Sequence, residues 1–473
     1  MTIRLRKTPL CLCLALALAL ACAFAMRAGH ADTAVALPTA QVDGTVNDIL
    51  KRTGVPSASI ALVRDHAIVY AQAYGCAQLD PCRPATPAMR YPIGSISKEF
   101  AATALLLLQE QGKLSIDDAA GKWVAGLGPA AGASIRALLS HTSGVRDYWP
   151  QDYDPPEMLK PIAARDILAR WANQPLDFPT GTAWQYSNTG YTIAGLIAEK
   201  AAGKPLFDFL HERIFEPLAM KTVYDFDAAP LPPGDAVGYM RYGLGPLRAS
   251  AKEGRGWLFA AGELAMTASD LARWDISLID KRVLSEAGYR DLTGEIRLAN
   301  GAGTGYALGL DVGLHSGRRV LSHDGEVGGF TAANAILPEQ GLAVVVLTNQ
   351  DANGAAETIA EDLEKLLLAQ ALPVDAAALA EARRLFDELQ TGKIDTARLT
   401  ANAKSYFTAQ ALADFRTGLA PLGKPTSFEA GGYGLRGGLV TRTYKAKFAQ
   451  QDLNIVVRST PGGLIEQYTL SAE

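Results

Sequence analysis

Apolar positions from Val42 to Leu50 recur at helical spacing and stop at Gly54-Val55-Pro56, which predicts an amphipathic helix. Two alternating segments follow, Ser57 to Val63 and Ile68 to Tyr74, separated by Arg64-Asp65-His66, and they predict a β-hairpin. An Ala- and Leu-rich run from Ser95 to Gln111, with Gly112 just past its end, predicts a helix. Between about Ile135 and Leu278 the pattern is mostly helical, with Pro- and Gly-rich loops at Pro150 to Pro161 and Pro230 to Gly245. Strand-like runs return at Tyr306 to Val312, Arg319 to Ser322, Phe330 to Leu337 and Leu342 to Leu347, and a helix, Ala355 to Ala369, follows them. A hairpin, a long helical insertion, then more antiparallel strands and a closing helix imply one sheet assembled from both ends of a domain. This is an α+β architecture with an inserted all-helical lobe.

The pattern breaks at Leu372-Pro373-Val374. Beyond it, helices are predicted near Ala376 to Leu389 and Ala409 to Thr417, then strands near Ser427 to Gly434, Gly438 to Phe448, Leu453 to Val457 and Leu464 to Leu470. The expected division is a main domain over 38–371 and a small α+β domain over 375–473. The helix-then-curved-sheet order of the latter resembles, at pattern level only, the cone-shaped NTF2-like fold. No internal repeat or low-complexity tract interrupts the chain.

The first residues have a different character. Arg4, Arg6 and Lys7 precede an uncharged apolar run from Leu10 to Met26, and small residues Ala28, Gly29 and Ala31 follow, the layout of a signal peptide over 1–31 cleaved after Ala31. The mature protein is then periplasmic or secreted. Two alternatives stay open: an uncleaved membrane anchor, since the apolar run is nearly long enough to span, and lipidation at Cys22 within a poor lipobox. No later segment is long and apolar enough for a transmembrane helix.

The net charge of the 473 residues is −4, with 48% apolar and 20% charged residues of both signs interspersed. Without a basic face, nucleic-acid binding is excluded, and the composition is not that of a disordered chain. Three of the five cysteines lie in the leader; Cys76 and Cys82, close together in an exported chain, are expected to form a local disulfide. The six histidines include no close pair and no His-Glu-x-x-His, so no metal site is expected and no cofactor is implied.

Two near-matches to known motifs fail. Gly418 to Lys424 has the spacing of a phosphate loop, but Pro425 stands where a Ser or Thr hydroxyl is needed and no strand precedes it. The Gly-x-Ser-x-Gly elbow of α/β-hydrolases is absent. The informative segment is Tyr91-Pro-Ile-Gly-Ser95-Ile-Ser-Lys98, at the start of a predicted helix. A spacing of three sets Ser95 and Lys98 one turn apart on one face, where a lysine of depressed pKa beside a helix N-terminus can take the serine's proton. A second segment, Trp184-Gln-Tyr186-Ser187-Asn188, enters a helix, where Ser187 or Asn188 can also serve as an N-cap. A third, Ser322-His323-Asp324-Gly325-Glu326-Val-Gly328, is placed at the end of a strand, whose edge offers N–H groups to an oxyanion.

In this order the three segments resemble those of the serine β-lactamase and penicillin-binding-protein family, in particular its class C-like branch of D,D-peptidases, D-aminopeptidases and esterases. Leu138-Leu-Ser-His141-Thr-Ser-Gly144, Gly262-Glu263-Leu-Ala-Met and Ala343-Val-Val-Val-Leu-Thr-Asn349 extend the resemblance over about Val42 to Ala369. It implies Ser95 as nucleophile, Lys98 hydrogen-bonded to it, Tyr186 as proton carrier, Asn188 as ligand of the acyl-side amide, and the N–H groups of Ser95 and Glu326 as oxyanion hole. His323 and Gly325 complete the third motif. Whether Lys98 or Tyr186 is the base at each step stays open. The implied activity is hydrolysis of an amide, ester or lactam carbonyl in a small-molecule or peptide substrate, D-amino-acid-containing ones included. The rival reading is a sensor that is acylated without turnover.

One departure bears on substrate. Where the familiar β-lactamases have a lysine, this chain has His323, mostly neutral at pH 7 unless perturbed, so carboxylate-bearing lactams are expected to be poor substrates. Glu263, where the family often has glycine, is expected to be a surface carboxylate, with a place near the pocket as the alternative. Ser97 is expected to pack or cap, and His141 to be buried and hydrogen-bonded. Phe207, Phe209 and Leu210 read as core, and His66, His211 and His315 as exposed residues without partners. The loop Arg146-Asp147-Tyr148-Trp149-Pro150 is expected to pack or to rim the pocket.

Overall fold

The computed structural model describes residues 37–152, 154–315, 317–371 and 376–472. The predicted leader and the break at Leu372-Pro373-Val374 lie outside the described residues. Helix α1 (Thr39–Thr53) buries Val42, Val46, Ile49 and Leu50, the stripe its periodicity predicts. The hairpin follows as β1 (Ser57–Arg64) and β2 (Ala67–Gln78); its two-residue turn puts Asp65 and His66 at positive φ, as the right-handed twist of a tight hairpin requires.

The main sheet has seven strands and joins the two ends of the domain. Its later strands are β4 (Asp311–His315), β5 (Arg318–Val327), β6 (Phe330–Leu337) and β7 (Leu342–Thr348), with a short β3 (Arg83–Pro84) at the other edge. The order is β3-β2-β1-β7-β6-β5-β4, and β1 pairs antiparallel with β7, Ala58 opposite Thr348. Every residue of β6 and β7 is buried. Both strands are covered on both faces: β7 reads as a continuous apolar run from Leu342 to Leu347, whereas β6 carries the buried polar residues Thr331 and Asn334 among its apolar ones. Helix α4 (Ala268–Ile279) packs on β1 and β7, and α5 (Ala355–Ala371) on β6 and β7.

The inserted lobe is centred on α2 (Ser97–Glu110), packed against α3 (Asn188–Ala202). Twelve of the fourteen residues of α2 are buried; it is apolar from Phe100 to Leu108 apart from Thr103, and its first turn carries the buried polar residues Ser97, Lys98 and Glu99. Phe209 and Leu210 are core, and Phe207 packs partly buried against it. The lobe is not wholly helical: Tyr91–Pro92, Leu264–Met266 and Tyr224–Asp225 form a small antiparallel sheet beneath the start of α2.

Two strand assignments shift. Residues 306–310 form no strand, because Gly305 and Gly309 turn at positive φ and the Cβ of any other residue at 309 would sit 2.7 Å from the Lys98 carbonyl oxygen. Strand β5 continues to Val327, so His323, Gly325 and Glu326 lie on the strand rather than beyond its end. His66 and His315 are exposed, yet each has a carboxylate partner, Asp280 and Glu364 respectively, which spacing in sequence did not reveal. Cys76 and Cys82 form a disulfide. Gly418 to Lys424 is the end of a helix and a 3-10 turn, with no strand before it.

In the C-terminal segment, helices α6 (Ala376–Gln390) and α7 (Ala409–Leu419), with a short helix between them, precede an antiparallel meander: β8 (Ser427–Arg436), β9 (Leu439–Lys447), β10 (Asp452–Ser459) and β11 (Ile465–Ala472). Strand β10 buries alternate residues, Leu453, Ile455, Val457 and Ser459, so this sheet has one apolar face. That face closes on Leu385, Phe386 and Leu389 of α6 in a hydrophobic core of its own. No helix of the described residues is long and apolar enough to cross a membrane.

Candidate active site

Ser95 sits in a 3-10 turn, Gly94–Ile96, that runs directly into α2. The turn is held from below by Ser97, whose hydroxyl accepts the Leu264 N–H at 3.1 Å. It is held from the side by backbone-to-backbone contact with β5. A Cβ on Gly94 (φ 52°) would lie 2.6 Å from the Glu326 nitrogen, and one on Gly325 would lie 1.9 Å from the Ile93 carbonyl oxygen. Only glycines allow this approach, which brings the Glu326 N–H beside Ser95.

The Lys98 ammonium donates to Ser95 Oγ at 2.9 Å and to the Ala261 carbonyl at 2.7 Å. It is fully buried, with the rings of Tyr186 and Tyr191 at 4.8 and 5.4 Å. Burial lowers its pKa to about 7, with the Asp147 carboxylate acting in the opposite direction. At neutral pH a substantial share of Lys98 is therefore free base, beside a serine hydroxyl.

Ser187 caps α3, its hydroxyl accepting the Gly190 N–H at 3.1 Å, so Tyr186 and Asn188 flank a true helix N-cap. Tyr186 is half-buried, but its hydroxyl oxygen is shielded from solvent and faces Ser95 without completing a well-formed hydrogen bond among the described residues. Burial holds the phenol well above its ordinary pKa, moderated by Ser95. Asn188 is fixed by Asp147: Asp147 Oδ1 accepts the N–H groups of Tyr148, Asn188 and Thr189 at 2.8 to 3.2 Å, and Oδ2 accepts the Asn188 side-chain amide at 3.1 Å. Burial raises the Asp147 pKa to about 6 against the pull of these donors and of Lys98.

His323 is buried on β5. Its Nδ1 lies 2.6 Å from the Asp324 carbonyl, which can only accept, so Nδ1 carries the proton; Nε2 then accepts from the Tyr306 hydroxyl at 2.8 Å. Burial, then Lys98, lowers its pKa to about 3, so it is neutral throughout the physiological range. His141 stacks on Tyr186 with ring centres 4.1 Å apart, and its Nδ1 accepts the Ser187 N–H at 3.1 Å. It thereby fixes both the ring and the backbone of the second motif.

Ser95, Tyr186, Asn188, His323, Gly325 and Glu326 all line one cleft of about 720 Å³, and Lys98 lies sealed behind Ser95. The structure thus brings all seven sequence-predicted residues together. It also adds two that sequence reasoning missed. Asp147 lay in a loop singled out only for its aromatics, and Tyr306 in a run read as strand. The loop itself divides: Tyr148 is buried with its hydroxyl on the Trp257 carbonyl, while Trp149 is 56% exposed, and both line the cleft. Glu263 is neither a surface carboxylate nor a pocket residue. It is buried, burial pushes its pKa far up, and it borders a different cavity with Glu199 and Asp225. No group of three His, Cys, Asp or Glu side chains among the described residues is placed to hold a metal ion.

The family model described as Beta-lactamase matches residues 42–369. Penicillin-binding protein 4* of Bacillus subtilis (strain 168) is 28% identical over 323 residues, 64% of this chain and 70% of that protein. A D-aminopeptidase of Brucella anthropi is 29% identical over 325 residues, 66% of this chain but only 59% of that enzyme's length. The crystal structure of D-amino acid amidase from Ochrobactrum anthropi SV3 with L-phenylalanine amide superposes with a TM-score of 0.62 at 26% identity, covering 69% of this chain and 96% of that one. The octameric penicillin-binding protein homologue from Pyrococcus abyssi shares the fold at 20% identity and a TM-score of 0.63, over 92% of this chain and 99% of that one.

Proposed function

Since the chain belongs to the β-lactamase family of serine hydrolases, we propose that it hydrolyses amides and esters through an acyl-enzyme on Ser95 and is a poor β-lactamase. The observation that carries this reading is the Ser95–Lys98 hydrogen bond, made to a buried amine whose pKa is lowered to about 7. Free-base Lys98, or Tyr186 in relay with it, takes the Ser95 proton as Oγ bonds to the substrate carbonyl carbon. The N–H groups of Ser95 and Glu326 receive the oxyanion. The C–N or C–O bond then breaks, the leaving group takes up the proton, and water repeats the sequence to release the acid and restore Ser95. Asn188, locked by Asp147, offers its amide to the acyl side of the substrate.

A neutral His323 gives no cation for a substrate carboxylate, which argues against penicillins and free peptide C-termini. The names of the relatives make small D-amino-acid amides the first substrates to try. We further read the chain as exported after removal of residues 1–31, and residues 375–473 as an accessory domain, in keeping with their separate hydrophobic core.

The test is kinetics of the wild type and Ser95→Ala on a p-nitrophenyl ester, a D-amino-acid p-nitroanilide and a chromogenic cephalosporin. Turnover of the ester or anilide should fall about a thousandfold or more in Ser95→Ala, with little cephalosporin hydrolysis in either protein. A single stoichiometric burst without turnover would instead make the protein a sensor.

A further inference from the structure

We propose that Glu99 and Asp275, which meet at Asn334 in the core behind the nucleophile turn, are held as neutral carboxylic acids. Together they form an uncharged clamp that positions α2 without setting an anion behind Lys98. The positioning role rests on Ser95 being the nucleophile, whereas the protonation does not.

Three elements supply the cluster: Glu99 follows Lys98 on α2, Trp274 and Asp275 lie on α4, and Asn334 lies on β6. All four side chains are buried. The Trp274 indole N–H donates to Glu99 Oε2 at 2.7 Å while its ring packs on Phe100 of α2, and the Asn334 amide donates to Asp275 Oδ1 at 2.9 Å. The start of α2 is thereby tied to α4 and β6, one residue beyond the lysine that bonds Ser95.

The cluster is short of donors. Two carboxylates and an amide carbonyl present five oxygens, while the indole and the amide supply three N–H hydrogens. Three of those oxygens, Glu99 Oε1, Asp275 Oδ2 and Asn334 Oδ1, are shielded from solvent and have no hydrogen-bond partner among the described residues. The adjacent cations are engaged elsewhere: Lys98 bonds Ser95 and the Ala261 carbonyl, and Arg273 pairs with Asp270. An ionised carboxyl in such a place is strongly unfavourable, whereas a proton turns an unmatched acceptor into a donor. The electrostatics agree. Burial pushes Glu99 up to about 8 against the Trp274 and Asn334 donors, with Asp311 of β4 adding to the effect. Burial, then Glu99, pushes Asp275 far up. Facing Glu99 besides these are the buried phenols of Tyr191 on α3 and of Tyr306, and β6 contributes no titratable group.

The test compares the full-chain wild type with Glu99→Gln, which keeps a neutral group of the same shape. Unfolding in urea is followed by tryptophan fluorescence, since all six tryptophans lie between Trp123 and Trp274, within the main domain. The unfolded chain gives up the Glu99 proton near its ordinary value of 4.5 and the folded protein keeps it to about 8, so wild-type stability falls as pH rises through that window. The ratio of folding constants, variant over wild type, should therefore rise about tenfold per pH unit between about pH 5 and 7. The same rise is expected of Asp275→Asn, which carries the test if Glu99→Gln does not fold. A ratio independent of pH would mean that the carboxylates are ionised in the folded protein, held by water or a cation, and overturns the proposal.

In p-nitrophenyl ester kinetics, Glu99→Ala should lower kcat/KM at least about tenfold by releasing α2, and Glu99→Gln should restore it to within about threefold of wild type with the acidic limb unmoved. Full activity in Glu99→Ala overturns the positioning role. A limb displaced to lower pH in Glu99→Gln would show that Glu99 was an anion acting on Lys98, the opposite of the proposal. If the wild type turns over no ester, the hydrolytic reading fails, while the folding ratio still decides the protonation.

Discussion

The two walls of the cleft are built on opposite principles. On the helical wall, polar groups answer one another: Lys98 bonds Ser95, Asp147 bonds the start of α3 and the Asn188 amide, and His141 supports Tyr186. On the strand wall, His323 is neutral and satisfied, while Asp311, Asp324 and Glu357 line the cavity exposed and form no ion pair among the described residues. Pre-arranged donors and acceptors suit a wall that carries out the same proton transfers on every substrate. The carboxylates of the strand wall are left to solvent and fix no such geometry.

Breaking the seam between the walls should have the largest effect. Gly325→Ala would force a methyl group to within 1.9 Å of the Ile93 carbonyl, pushing β5 away from the nucleophile turn. We expect kcat/KM for a neutral p-nitrophenyl ester to fall by at least about a hundredfold, because misplacing the oxyanion donors by an ångström costs about that much. Activity within a few fold of wild type would show that the Glu326 N–H is not part of the oxyanion hole.

Asp147→Asn attacks the helical wall alone. It keeps one acceptor oxygen but sets an NH2 group against an N–H donor it formerly accepted, and it removes the anion that raises the Lys98 pKa. We expect kcat to fall about ten- to a hundredfold. The sign of the pH effect follows from the charge: without Asp147, Lys98 loses its proton at lower pH, so the acidic limb of kcat/KM, near pH 7 in the wild type, should move down. An unmoved limb would mean that Lys98 does not set it.

The smallest expected effect sharpens the strand wall. His323→Lys places an ammonium where the ring now accepts from Tyr306. We expect cephalosporin kcat/KM, relative to the neutral ester, to rise about three- to tenfold, as for one added charge contact in a partly solvated cleft. An unchanged ratio would detach lactam discrimination from this position.

Much of the frame was legible because it is local or periodic. The hairpin follows from alternation around Arg64-Asp65-His66, and the continuous apolar run Leu342 to Leu347 of β7 marks a strand covered on both faces. The run at 306–310 misled because a buried loop and a strand are equally apolar, and only the glycine turns at 305 and 309 distinguish them. Asp147 escaped notice because the N–H groups that require it, those of Asn188 and Thr189, are 41 and 42 residues away. Glu263 was misplaced because a carboxylate is ordinarily exposed, and nothing adjacent in sequence indicates its burial.

By itself the sequence determined that Ser95 and Lys98 stand one helical turn apart, that a helix begins at Ser187 or Asn188 just after Tyr186, and that glycines line the third motif. Backbone geometry dictates such relations over three or four residues, whatever surrounds them. Only the tertiary structure decided that Lys98 is dry enough to lose its proton near neutrality, that burial and the neighbouring Lys98 keep His323 uncharged, and that three carboxylates from β4, β5 and α5 share a cleft. Protonation state and potential depend on solvent exclusion and on charges brought from distant segments, and neither exists until the chain has packed.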